Sequence, residues 1–567
     1  MNRIILLLLL ALLSSFSAAA QLTGVIVNQE TGVSLSFATV FFESTSKGSI
    51  SNEDGFFRLN CPASFPDTLQ IAFIGFEAKR IPMFECTSEP MIIQLEPAFV
   101  EVPIVVISVE KGTAPKREMK ILKKWQDARG NWESKIYLSL TSEEDSIPVE
   151  AVEACFNGSF YGNNILDLAL KGGRLGVHSD PNYRFVNLNT SDVLLKFSLK
   201  PEVNSPIPHP AVQREKAWKA KYVWDLIAQT IERGDTLRRW VLHPKFSELS
   251  SCEIVFNINK NQVRSYAIRT QNTLPRLIKP VVDSDEISSL DLRMEWQFSP
   301  VDQRIELLNF QYLMGYKNNL RKRELNVSGI LHAYDQEELF PEVLYSGARM
   351  TSDYERLLVW SFDPKFWSQQ DIVPTSKKSE AHQAFFKSHG HLTNIAQLGA
   401  LEFPVFRCEP GEINWNHLKG AKKVYPSKLN DSYYGSRVSN AGKYALTCDW
   451  FVNPWYDGDT CRVEQAIIFD GRNSWYELEN DSLALEFVNT YVSLVQVEQA
   501  NLVKRIQAQN IACQEKKLKP VWSDARAKSN MRIKRFLREV DRGENTGAFL
   551  KWQAMIRAER KSLNLQG

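Results

Sequence analysis

The chain has 567 residues, 44% hydrophobic and 24% charged, which is enough apolar sequence for roughly three ordinary cores. Its 68 Lys and Arg nearly balance 66 Asp and Glu, for a formal net charge of +2, so it lacks the strongly basic balance of a nucleic-acid binder. Eight cysteines are too few for a disulfide-built scaffold of this length.

Met1 to Ala20 reads as a cleavable leader. Arg3 supplies the positive start, Ile4 to Leu13 the apolar centre, and Ala18-Ala19-Ala20 the small residues before cleavage at Gln21. No cysteine stands at that point, which argues against a lipid anchor. No later stretch is apolar for the length a spanning helix needs. The expectation is an exported protein, in the periplasm or on the periplasmic face of the outer membrane, with no transmembrane helix after the leader.

Residues 21–107 read as a run of short strands. Leu22 to Asn28 alternates and ends at Gly32, where a tight turn needs positive φ. Ser36 to Ser44 is β-branched and aromatic. Asn52-Glu53-Asp54-Gly55 carries a hairpin signal, and Phe56, Phe57 and Leu59 open the next strand. Asp67 to Phe73 and the apolar positions Ile92, Ile93 and Leu95 supply two more. Turn signals at such short spacing indicate a small β-sandwich.

Gly24-Val25-Ile26-Val27, Thr31-Gly32, Ala38-Thr39-Val40, Asp54-Gly55-Phe56-Phe57 and Ile74-Gly75-Phe76 make this stretch resemble the carboxypeptidase-regulatory-like domain. The segment from Glu101 to Val106 resembles the closing piece of that domain. The resemblance implies a transthyretin-like β-sandwich of the kind found at the N-termini of exported Bacteroidetes envelope proteins. It also implies an accessory or docking role rather than catalysis. Ser352-Asp353-Tyr354-Glu355 and Phe366-Trp367 with Ile372-Val373-Pro374 resemble a segment of uncharacterised Bacteroidetes proteins that carry the same module.

Residues 108–131 read as a linker and a short basic helix through Trp125, and 132–375 as a β-rich central domain. Its one predicted long helix, Lys216 to Arg233, sets Ala217, Ala220, Trp224, Ile227 and Ile231 near one face, with Gly234 to end it. Cys252 to Ile258 and Val263 to Ile268 flank Asn259-Lys260-Asn261 as a hairpin. Leu290, Leu292, Met294, Trp296 and Phe298 alternate as a half-buried strand, and Ser299 to Asp302 turns the chain back. Such hairpins build a curved antiparallel sheet, either filled by its own side chains or wrapped round an apolar interior as in periplasmic carriers.

Residues 376–567 read as an α+β region ending in basic helices. Tyr444 to Trp450 and Arg462 to Phe469 are expected strands, and Asn480-Asp481-Ser482 caps a helix carrying Leu483, Phe487, Tyr491, Leu494 and Val495. Residues 501–567 hold 16 Lys and Arg against 6 Asp and Glu, a local +10. With Arg3 the only leader charge, residues 21–500 carry 2 − 1 − 10 = −9. The basic tail therefore either meets an envelope protein or anionic surface, or complements the acidic remainder within the molecule.

The chemical inventory is short. None of the eight histidines is followed by Glu three residues on, and no H-E-x-x-H, G-x-S-x-G or phosphate loop occurs. Ser44-Thr45-Ser46-Lys47 matches S-x-x-K but lies in a strand-to-turn segment. His382, His389 and His391 with Glu380 form the one histidine cluster. Cys61 with Cys86, and Cys448 with Cys461, are pairs that geometry has either to bridge or to leave as buried thiols.

The sequence thus supports a multidomain, mainly β protein: an N-terminal transthyretin-like β-sandwich, a central antiparallel β-rich domain and a helical basic tail. The expected role is a binding, docking or scaffolding component of the envelope without catalysis. No catalytic, cofactor-binding or metal residue is assigned, and no cofactor or nucleic acid is expected. The alternatives are a hydrolase with a site assembled from distant residues, or a carrier of an apolar ligand.

Overall fold

The computed structural model describes residues 21–96, 115–199, 215–270, 286–345, 353–359, 384–388, 405–420, 432–477, 482–508 and 515–565, with short gaps inside some of these ranges. The leader, the Glu101 to Val106 segment, the Phe366 to Pro374 segment, Glu380, and His382, His389 and His391 lie outside the described residues.

Seven strands build the N-terminal module: β1 (Gln21–Asn28), β2 (Thr39–Phe42), β3 (Gly48–Ile50), β4 (Phe56–Asn60), β5 (Asp67–Ala72), β6 (Lys79–Met83) and β7 (Met91–Leu95). They form two sheets, β4-β1-β7 and β3-β2-β5-β6. Leu22, Ile26, Val40, Phe42, Phe57, Leu69 and Ile71 alternate inward to fill the core between them. The turn at Asn52 to Gly55 forms, with Gly55 at φ +75° and the Asn52 side chain accepting from the Asp54 and Phe56 amides. It is not a hairpin, however, because β3 pairs with β2 and β4 with β1. The turn carries the chain from one sheet to the other. Cys61 and Cys86 are bridged, with Cα atoms 6.1 Å apart.

Helix α1 (Lys116–Gln126) leads into β8 (Asn131–Glu144), β9 (Ile147–Tyr161) and β10 (Asn164–Val177). Two short helices follow, α2 (Thr190–Lys196) and α3 (Glu215–Lys221). The sheet then continues through β11 (Tyr222–Glu232), β12 (Asp235–Pro244), β13 (Ser251–Asn257), β14 (Gln262–Thr270), β15 (Glu286–Phe298), β16 (Ile305–Asn318) and β17 (Arg321–Asp335). Their order is β10-β9-β8-β17-β16-β15-β14-β13-β12-β11, antiparallel throughout. Bulges interrupt the β10–β9, β11–β12 and β15–β16 registers, and each bends its strand and increases the local twist.

The predicted helix over 216–233 is corrected here. It stops at Lys221, and Tyr222–Glu232 is the edge strand β11. The spacing of Trp224, Ile227 and Ile231 imitates a helix face, yet Ile227 and Ile231 are 50% and 41% exposed while Tyr222 and Trp224 alternate into the core. Pairing to β12 outweighs the helical spacing, and Gly234, at φ +80°, serves the β11–β12 turn instead of ending a helix.

Next come β18 (Leu344–Tyr345), α4 (Asp353–Val359), β19 (Val405–Cys408), β20 (Ser432–Tyr434), β21 (Arg437–Asn440), β22 (Tyr444–Asp457), β23 (Thr460–Asp470) and β24 (Trp475–Tyr476). These strands form a second sheet, β19-β23-β22-β21-β20 with β18 and β24 on β22. Helices α5 (Ser482–Ala508), α6 (Glu515–Val540) and α7 (Thr546–Ser562) close the chain. Phe487, Tyr491, Leu494 and Val495 of α5 share one core with Trp450 and Phe469 of the sheet and Phe536 and Trp552 of the last two helices. The pairing of Cys448 with Cys461 does not form: Cys448 is a free buried thiol, and Cys461 is disulfide-bonded elsewhere.

Candidate aromatic site on the inner face of the central sheet

One face of the ten-stranded sheet, its inner face, carries a single apolar cluster reaching from Leu175 on β10 to Trp224 on β11, covered by α1, α2, α3 and α4. Topology explains the cover. Strands β10 and β11 are the two edges of the sheet but are consecutive in sequence, so the chain between them must cross from one edge to the other. Val193 and Leu194 of α2 and Trp218 of α3 place both ends of that crossing on the inner face.

Under α1 and α3 the wall is aromatic. Trp224 and Trp240 meet edge to face at 6.0 Å, Tyr266 and Trp296 lie 5.6 Å apart, and Trp125 of α1 sits 5.8 Å from Tyr266 and 5.3 Å from Phe298. In this corner Tyr222 Oη, Trp224 Nε1 and Trp240 Nε1 are buried with no hydrogen-bond partner among the described residues. Leaving a buried donor unsatisfied costs about 1–3 kcal/mol. Three in one corner is a concentration of donors with no acceptor among the described residues. Burial pushes the Tyr222 hydroxyl pKa upward, and the Cys252 thiol beside it is pushed up for the same reason.

The outer face of the same sheet mixes an apolar cluster with ion pairs, and among the described residues it also leaves Asn309 Oδ1, His332 Nε2 and Tyr334 Oη without a hydrogen-bond partner. Arg174 bonds Glu153, which also accepts from Tyr137 Oη at 3.1 Å, and Lys135 Nζ reaches Asp335 at 3.2 Å. The buried thiols of Cys155 and Cys448 are pushed well up by burial, which is opposite to what a reactive thiolate needs. Among the described residues no group of three or more His, Cys, Asp or Glu side chains is placed to hold a metal ion. Ser44 of the S-x-x-K match donates its hydroxyl to Asp67 within the sandwich.

Much of the basic tail's charge is spent inside the molecule. Arg526 pairs with Asp449 between the Trp450 and Trp522 rings, Arg532 pairs with Glu498 and Glu559, and Arg505 pairs with Asp524. The intramolecular alternative weighed from sequence therefore accounts for part of the +10. Sequence reasoning singled out neither Tyr222 nor Trp240. The signal that would have found them is the alternation of Tyr222 with Trp224 and of Trp240 with Leu242, all buried on one face.

The fold and this face define a mainly β protein in which two further sheets and a terminal helical region follow an N-terminal sandwich. Residues 22–107 match the family model of the CarboxypepD_reg-like domain, so the sandwich is a domain of that family. No curated protein sequence matches the chain. A LolA superfamily protein from Nitrosomonas europaea is similar over 39% of this chain and 94% of its own, at 10% identity and a TM-score of 0.17. The complex of MucA and MucB from Pseudomonas aeruginosa contains a chain similar over 37% of this chain and 93% of its own, at 7% identity and a TM-score of 0.15. At these values neither likeness carries an argument. Among the described residues no helix is long and apolar enough to cross a membrane.

Proposed function

We propose that this is an exported binding and docking component of the cell envelope, without catalysis, whose central sheet receives an amphipathic molecule on its inner face. The observation that supports it is the trio of orphan donors, Tyr222 Oη, Trp224 Nε1 and Trp240 Nε1, set in an aromatic corner. An apolar body would stack on Trp224, Trp240 and Tyr266, while an ester, amide or carboxylate oxygen on it would accept from the three donors. The N-terminal sandwich serves to dock or present, and the basic C-terminal helices supply a contact with an envelope protein or anionic surface.

The test uses the chain from Gln21 with two probes, a pyrene-labelled fatty acid and a pyrene-labelled alkane, followed by tryptophan-to-pyrene energy transfer. The expected result is saturable binding of the fatty acid. It should weaken about tenfold when Tyr222 is replaced by Phe, which removes a donor and keeps the ring, with the alkane little affected. Binding of neither probe, or equal loss for both, would overturn the reading.

A further inference from the structure

We infer that the outward face of the α6–α7 pair is a docking surface for an anionic lipid bilayer. This rests on the reading of the chain as a docking component and names its partner. The two helices are locked together: Arg532 bonds Glu559 at 2.8 Å, Trp552 Nε1 donates to Glu539 at 2.8 Å, and Phe536 meets Trp552 edge to face at 5.4 Å. These contacts use one flank of each helix and all of the aromatic side chains at the seam. What remains outward is a mixed stripe of bases and small apolar groups.

On α6 the outward positions at helical spacing are Ala527, Met531, Lys534 and Arg538, and Met531 is 66% exposed. On α7 they are Leu550, Lys551, Ala554, Arg557 and Lys561, and Leu550 is 58% exposed. The described acids of these helices are already engaged, Asp524 by Arg505 and Lys528, Glu539 by Arg535, and Glu559 by Arg532. Lys534, Arg538, Lys551, Arg557 and Lys561 are in no ion pair among the described residues. Five unpaired bases against no unpaired acid among the described side chains leave this face strongly positive, so charge complementarity selects an anionic occupant.

The apolar part selects a bilayer over a protein. Protein hot spots need aromatic anchors and are depleted in lysine, whereas here Phe536, Phe549 and Trp552 are all buried inward and lysine is exposed. Single Met and Leu side chains spaced among long cationic ones suit shallow insertion at headgroup depth, with the Lys and Arg stems lying over the acyl boundary.

The experiment is co-sedimentation of the chain from Gln21 with vesicles of phosphatidylcholine, alone or with one third phosphatidylglycerol. The expected result is binding to the anionic vesicles only, weakened by salt. The variant Lys534→Gln, Arg538→Gln, Lys551→Gln, Arg557→Gln should bind on the order of a few hundredfold more weakly, at about fivefold per base near the surface. Met531→Ser with Leu550→Ser should weaken binding and leave its salt dependence in place. All six positions are exposed, and an unchanged melting temperature confirms that folding is intact. No binding, or equal binding to neutral vesicles, would overturn the inference. So would tight, variant-sensitive binding of polyglutamate without vesicle binding, which would assign the face to an acidic protein instead. Pyrene-fatty-acid binding by the four-base variant should stay unchanged, so a failure here is separable from a failure of the inner-face site.

Discussion

Lys171 Nζ on β10 and Asn453 Oδ1 on β22 lie 2.6 Å apart across 282 residues of sequence, joining the two large sheets. The ammonium also donates to the Pro341 and Pro454 carbonyls at 2.8 and 2.5 Å and lies 4.3 Å over the Trp455 ring. Asn453 Nδ2 donates back to the Lys171 carbonyl at 3.2 Å. Burial pulls the Lys171 pKa down, and the nearby Glu464 opposes that.

Lys171→Met strands three buried neutral acceptors, each costing about 1–3 kcal/mol if it stays unpaired, and should destabilise the chain. Asn453→Leu removes one acceptor, the reciprocal bond and a 3.2 Å donation to Glu464, and should also destabilise the chain. Because the two side chains serve one junction, the double variant should fall short of the sum by more than about 1 kcal/mol in urea unfolding. Additive losses would mean that the sheets are held together elsewhere.

His332 and Glu306 sit on neighbouring strands, with His332 Nδ1 3.0 Å from the Glu306 carbonyl oxygen, and burial shifts them in opposite directions. His332 falls from 6.5 to about 4, so the stability it contributes is present above pH 6.5 and lost as pH drops through about 4. Glu306 rises from 4.5 to about 7, so its contribution is present below pH 4.5 and lost as pH climbs through about 7. Each change amounts to roughly 3 kcal/mol, and between pH 4.5 and 6.5 they nearly cancel. Glu306→Gln should therefore leave a protein whose stability rises across that interval, and His332→Gln one whose stability falls. Unfolding midpoints measured against pH check both slopes, and parallel profiles for the two variants would refute the assignment.

Replacing Tyr222 by Phe keeps the ring and removes one orphan O–H. In the ligand-free chain this should be neutral or stabilising by up to about 2 kcal/mol, unlike an ordinary core substitution. A clear loss of melting temperature would show that Oη already has a partner in solution. Trp240→Phe also removes the pyrrole part of a fully buried ring, so it should lose stability by cavity formation.

The strands were readable wherever one face is buried, because alternation is then forced. Leu290 to Phe298 and Tyr444 to Trp450 are such cases, and so is the capped helix carrying Phe487 and Tyr491. Reading failed where local spacing and long-range pairing disagreed. Residues 222–232 satisfy a helical pattern, and only the partner strand β12, which the local pattern does not reveal, settles them as β11. The turn at Gly55 was legible, but the sheets its flanking strands join were not, since that depends on β1 and β2. The orphan donors were illegible for the same reason: whether an indole N–H finds an acceptor is decided by residues far away in sequence.

Ile50 shows where the domain reading from sequence meets the packing. The sequence places a boundary at residues 108–131, from which an independent sandwich is expected. Yet Ile50 on β3 is 1% exposed and belongs to an apolar cluster with Tyr137, Cys155, Leu307 and Ile330 of the central sheet and Trp455 of β22. Removing residues 21–107 should uncover that cluster, and the remainder should bind a hydrophobic dye and lose solubility. Ile50→Ser should reproduce part of the effect in the full chain, costing about 2–4 kcal/mol by cavity and polar burial together. A remainder that stays soluble, binds no dye and unfolds cooperatively at its original midpoint would make the sandwich a module merely resting on the sheet. Loss of solubility would make Ile50 part of one core built by three domains.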